Sequence, residues 1–107
     1  MSDFVKPVTG EELNELVASG KTVVCDFWAG WCGPCRMLAP VIDALAAEFK
    51  EKAIFVKLDI DAETETALKF GVMSIPDVYV IADGKVRDHS LGFVPEDELR
   101  LFFEENL

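Results

Sequence analysis

Thr22-Val23-Val24-Cys25-Asp26-Phe27-Trp28-Ala29-Gly30-Trp31-Cys32-Gly33-Pro34-Cys35 is the stretch that decides the fold. Its first half, up to Trp28, is nearly all β-branched, aromatic or apolar, as expected of a central strand covered on both faces, and only Asp26 interrupts it. Pro34 is tolerated only near the start of a helix, so it places Cys32 at the mouth of the helix that carries Cys35. Leu38, Val41, Ile42, Leu45 and Phe49 follow at spacings of three and four and give that helix one apolar face. A buried strand, a cysteine pair and a helix therefore follow one another directly.

Upstream, Thr9 and Glu12 form a capping-box pattern, and Leu13, Leu16 and Val17 recur at helical spacing until Gly20. Phe4 and Val5 suggest a short strand that Pro7 limits. Downstream, Ala53 to Ile60 reads as a second buried strand with Lys57 in its middle, and Glu63 to Phe70 as a short helix closed by Gly71. That completes a βαβ unit, which implies parallel strands. The apolar run Val78 to Ile81 meets Asp83-Gly84, a hairpin turn signal, and Val86 onward returns as an edge strand. Pro95 suits the first turn of a last helix, where Glu96, Asp97 and Glu98 complement the dipole and Leu99, Phe102 and Phe103 face inward. No linker or charge block divides the chain, so the expected architecture is one α/β domain over residues 1–107, with a mixed sheet and helices on both faces.

The chain has 107 residues, half of them hydrophobic and 28% charged, a globular composition that buries roughly two thirds of the surface of its unfolded form. A formal net charge of -10 argues against nucleic acid, whose phosphates demand clustered Lys and Arg. Met1-Ser2-Asp3-Phe4 shows no basic segment leading into an apolar one, and no window is long enough to cross a bilayer. The expectation is a cytoplasmic protein with no membrane attachment. Three cysteines, only two of them closely spaced, do not make a disulfide framework and fit a reducing compartment with one special pair.

Cys32 and Cys35 lie three residues apart on one side of a helical turn, near enough to form and break a disulfide with little backbone movement. At the helix mouth the free N–H groups and the dipole favour a thiolate at Cys32, which makes it the nucleophile. Cys35, one turn deeper, is placed to resolve the mixed disulfide that Cys32 forms. The alternative is half of a zinc site, but the only further soft ligands are Cys25 and His89, far apart in sequence, and no metal is expected.

The run Asp26 to Cys35 closely resembles the active-site signature of the thioredoxin family. The likeness extends along nearly the whole chain, through Lys57 with Asp59, Gly71-Val72-Met73-Ser74-Ile75-Pro76, Asp83-Gly84-Lys85 and Gly92. It implies a five-stranded mixed β-sheet flanked by four α-helices, with Ile75-Pro76 a cis peptide that offers the Ile75 backbone to an extended client. It also implies that Asp26, with Lys57 near it, helps remove the proton of Cys35, since a buried carboxylate must find a partner or hold its proton. Trp28 is expected to pack beneath the site. Trp31, Gly33, Pro34, Ile75, Pro76, Gly92 and Phe93 are expected to form an apolar docking patch around Cys32.

By the same resemblance the activity is reduction of client disulfides, with no bound cofactor beyond the redox-active Cys32-Cys35 disulfide. A thioredoxin reductase is the implied electron donor, diverse disulfide-containing proteins are the clients, and the chain is a monomer. Three residues depart from the family, one of them Thr64, which stands where a proline often opens the third helix. Asp77 stands where Thr is usual, and brings a negative charge either beside the dithiol or into water; Phe93 is bulkier than usual. Cys25 alternates with Asp26 and reads as a small buried hydrophobe, and His89 as an exposed residue of the edge strand.

Overall fold

In a computed structural model, which describes residues 3–107, the central strand of the fold is the one that runs into the cysteine pair. Met1 and Ser2, the first two residues of the N-terminal segment read above as carrying no leader, lie outside the described residues. The elements in chain order are β1 (Val5–Pro7), α1 (Gly10–Ala18), β2 (Val23–Trp28), α2 (Gly33–Glu48), β3 (Ile54–Asp59), α3 (Thr64–Lys69), β4 (Asp77–Ala82), β5 (Lys85–Leu91) and α4 (Glu96–Asn106). The sheet order is β1-β3-β2-β4-β5. β1 and β2 run parallel to β3, and β4 runs antiparallel to both β2 and β5. This is the five-stranded mixed sheet with four helices that the sequence predicts.

Strand alternation divides the core. Val24, Val78 and Val80 face one side with Val5 and Phe55, where Leu38, Ile42 and Leu45 of α2 and Leu99 and Phe103 of α4 cover them. Val23, Cys25, Phe27, Val56, Leu58, Tyr79 and Ile81 face the other side, covered by Leu13 of α1 and Ala67 of α3. Cys25 is thus a buried free thiol on the face opposite Asp26, and burial pushes its pKa well up, which keeps it protonated.

The local signals act as read. Thr9 Oγ1 accepts the Glu12 N–H at 3.1 Å and Glu12 Oε1 accepts the Thr9 N–H at 2.8 Å, closing the capping box. Asp83 and Gly84 both have positive φ, 54° and 78°, the conformation a two-residue hairpin turn requires. The start of the last helix differs from the reading. Pro95 is the N-cap of α4 and not part of its first turn. Pro40 lies inside α2, where its missing N–H leaves a gap in the helical hydrogen bonds on the side of a cleft described below.

The hairpin contains a register shift. Ala82 and Ile81 pair with Lys85 and Val86, but Val80 pairs with Asp88 and Tyr79 with His89, so Arg87 is an extra residue in β5. Its guanidinium reaches the Asn106 carbonyl at 2.5 Å at the end of α4.

α1 begins against α3. The Gly10 N–H donates to Glu63 Oε1 at 2.6 Å, and a Cβ added at Gly10 would overlap Thr66 Oγ1 and stand 2.8 Å from Glu63 Oε1. Gly10→Ala is therefore expected to lower the unfolding free energy by about 1–3 kcal/mol, as overpacking does. Urea denaturation followed by circular dichroism checks this, and an unchanged midpoint would mean that Thr66 simply turns aside.

Candidate redox site

β2 ends at Trp28, the chain turns through Ala29, Gly30 and Trp31, and Cys32 is the N-cap of α2. Cys32 and Cys35 are joined as a disulfide with their Cα atoms 5.2 Å apart. The two cysteines are almost equally buried, 4% and 3% exposed, so exposure does not distinguish them. Their positions on the helix do. Cys32 Sγ accepts the backbone N–H of Cys35 at 3.1 Å, whereas Cys35 sits in the first turn with Pro34 before it. A helix N-terminus that donates to one sulfur favours negative charge on that sulfur.

Across the site, the Ile75-Pro76 peptide bond is cis, and Cys32 Sγ lies 3.9 Å from the Ile75 carbonyl oxygen. Cys32, Cys35 and Ala29 form a small buried cluster, with Trp28, Ile60 and Ile75 packed on it. The Gly92 N–H donates to the Pro76 carbonyl at 2.7 Å, and Gly92 has a φ of 83°, a backbone conformation that a side chain disfavours. Pro76 itself is buried.

Around this cluster Trp31 is 67% exposed, with its indole N–H donating to Asp61 Oδ2 at 2.8 Å. Pro34 and Phe93 are also exposed, while Gly33, Ile75 and Gly92 are half-buried. Two neighbours escaped the sequence reading. Met73, two residues before Ile75, is 97% exposed and extends the apolar surface; its position in the Gly71–Pro76 run was the available signal. Arg36 closes the turn by donating to the Gly30 carbonyl at 2.7 Å, which spacing alone does not reveal.

Asp26 and Lys57 occupy register-paired positions on β2 and β3 and line an open cleft of about 340 Å³ with Val5, Ala39, Pro40, Ile42 and Asp43. Ala39, which lines the cleft, lies one turn beyond Cys35 on α2. Asp26 Oδ1 is buried and has no hydrogen-bond partner among the described residues. Burial pushes the Asp26 pKa up to about 7, Lys57 opposes the rise, and Asp43 adds to it. The Lys57 ammonium stands 5.1 Å from the centre of the Trp28 ring, so one cation serves both the indole and the carboxylate. Trp28 is partly buried beneath the cysteines, with its indole nitrogen unpartnered among the described residues.

The family model for thioredoxin matches residues 4–105. The chain belongs to the thioredoxin family. Thioredoxins of Staphylococcus aureus (strain Mu50 / ATCC 700699) and Staphylococcus saprophyticus are each 45% identical to it over 100 residues, which are 94% of this chain and 95% of theirs. Among solved structures, a mutant thioredoxin from Halobacterium salinarum NRC-1 superposes with a TM-score of 0.86 at 34% identity, covering 99% of this chain and 94% of that one. Membership together with the Cys32-Cys35 pair makes the protein a thiol–disulfide oxidoreductase of the protein-disulfide reductase type. Among the described residues no group of three or more His, Cys, Asp and Glu side chains is placed to hold a metal ion, and no helix is long and apolar enough to cross a membrane.

The remaining sequence-predicted residues fall as follows. His89 is exposed on β5 as expected. Asp77 is neither free beside the dithiol nor in water: it is buried, and its carboxylate is bonded to His89 Nδ1 at 2.8 Å.

Proposed function

We propose that the reduced chain delivers two electrons to a client disulfide by the following sequence. The Cys32 thiolate attacks one sulfur of the client disulfide, a Cys32–client disulfide forms, and the other client sulfur leaves as a thiolate that takes a proton from water. The Cys35 thiol then gives its proton toward Asp26 through the cleft, attacks Cys32 Sγ and expels the second client thiolate. The products are a reduced client and the Cys32-Cys35 disulfide. A thioredoxin reductase returns the electrons, and no cofactor beyond the cysteine pair takes part. The observation that carries the assignment is the 3.1 Å bond from the Cys35 N–H to Cys32 Sγ at the helix mouth, beside the Ile75 carbonyl.

In this reading Trp31, Gly33, Pro34, Ile75, Pro76, Gly92 and Phe93 hold the client, whose extended backbone lies along Ile75 as an added strand. Trp28 supports the cysteines from below, and Lys57 steadies the charge on Asp26. One domain over residues 1–107 acts as a monomeric cytoplasmic electron carrier, with diverse disulfide proteins as clients.

Insulin, NADPH and a thioredoxin reductase test the proposal. NADPH oxidation that depends on both insulin and this chain is expected, with free insulin chains as the product. No turnover would overturn the reading and leave the apolar surface as the docking face of a binding module.

A further inference from the structure

Besides the strand pairing of Asp77 with Leu91, two bonds from β5 and the residue after it hold the segment that faces Cys32. One is the backbone bond from the Gly92 N–H to the Pro76 carbonyl, at 2.7 Å. The other is a side-chain bond between His89 Nδ1 and Oδ1 of the next residue, Asp77, at 2.8 Å. The two partners of the second bond differ sharply in environment: the Asp77 side chain is 4% exposed and that of His89 is 46% exposed. A buried carboxylate is thus held by a side chain at the surface.

The surroundings make His89 the group that controls this bond. Tyr79, directly opposite His89 in the β4/β5 ladder, places its ring 5.0 Å from the imidazole, and its own hydroxyl donates to the Phe70 carbonyl at 3.0 Å. On β2, the residue paired with Asp77 is Phe27, which carries no charge, and the one other titratable group on that face of β2 is the buried Cys25 thiol. At the end of α3, Phe70 and Val72 complete the apolar wall. On β5 the nearest charges are Asp88, whose carboxylate accepts the His89 backbone N–H at 2.8 Å, and Arg87, which is engaged with the Asn106 carbonyl. Burial raises the Asp77 pKa and the bond to His89 opposes that rise.

We propose that Asp77 and His89 are positioning residues for the client-docking backbone at Ile75 and Pro76, and that the protonation of His89 sets how firmly that backbone is held. With His89 charged, the bond is charge-assisted at both ends and the buried carboxylate is compensated. With His89 neutral, a single N–H from an uncharged ring faces a buried anion, and the grip weakens. The Ile75 carbonyl, 3.9 Å from Cys32 Sγ, is the point where the change meets the client. The inference rests on the reading that Ile75 and Pro76 receive the client backbone, and it places pH control in docking, apart from the proton chemistry of Asp26.

His89→Asn supplies an N–H without a titrating charge, and Asp77→Asn removes the carboxylate while keeping a hydrogen-bond partner. The apparent KM for insulin and kcat are measured from pH 5.5 to 8.5 for both variants and the parent chain, with saturating thioredoxin reductase. In the parent, KM is expected to rise about threefold as His89 loses its proton, the size expected from losing charge assistance in one hydrogen bond. In both variants that rise is absent, while the pH profile of kcat is retained. In parallel, the Ile75 and Gly92 amide signals in nuclear magnetic resonance spectra of the parent shift at the midpoint of the His89 imidazole. A KM profile of His89→Asn that overlays the parent, or amide signals that ignore the His89 midpoint, would overturn the inference. Failure of the parent chain to reduce insulin at all would instead overturn the proposed function.

Discussion

Cys35→Ser is expected to accumulate as a covalent adduct with its client through Cys32, and Cys32→Ser to form no adduct. Both variants lose insulin reduction by about a thousandfold or more, because each removes a group without which the exchange cannot complete. The asymmetry comes from the helix. Cys32 caps a 16-residue helix and receives the Cys35 N–H, so charge that develops on its sulfur is met by the positive end of the dipole. Cys35, at the third position of that helix behind Pro34, has no such donor among the described residues and in the proposed sequence reacts only once Cys32 has become the electrophile. Mass spectrometry under non-reducing conditions distinguishes the two variants. An adduct on Cys35 in the Cys32→Ser protein would reverse the assigned roles.

The parts of this site that could be read from sequence are those set by local chemistry. The strand before Cys32 declared itself through β-branched and aromatic residues, the helix after it through its apolar spacing, and the helix start through Pro34. Asp83-Gly84 fixed the hairpin, because few residue pairs accept two successive positive φ values. The Asp77–His89 bond was hidden for a geometrical reason. Extending the register from the Ala82–Lys85 pair without interruption puts His89 opposite Val78, on the face away from Asp77. The extra residue at Arg87 moves His89 opposite Tyr79, and so onto the face of Asp77. A bulge of one residue leaves no mark in the alternation of so polar a strand. Asp43 and Pro40 escaped for another reason: they meet Asp26 only through the packing of α2 on the sheet, and spacing along one helix does not report what lies across from it.

Asp26→Asn is expected to stabilise the chain and slow it in the same experiment. Folding raises the Asp26 pKa from its ordinary 3.8 to about 7, so between those values the folded state binds more protons than the unfolded state. Stability linked to this carboxyl is therefore fully present below about pH 4, falls as pH rises toward 7, and is flat above it. Three or so pKa units at 1.36 kcal/mol each correspond to about 4 kcal/mol, from which the cost of burying an unpartnered amide is subtracted. The variant should gain about 2–4 kcal/mol over the parent at pH 8.5 and less than about 1 kcal/mol at pH 4, read from urea denaturation at the two pH values. If Asp26 also accepts the Cys35 proton through the cleft beside Ala39, release of the mixed disulfide slows by about tenfold or more in the same variant, as loss of a general base requires. A variant no more stable than the parent at pH 8.5 would mean that Lys57 already compensates the buried charge. A more stable variant with unchanged release would leave Asp26 a buried carboxyl with no part in the exchange, and move the proton of Cys35 directly to water.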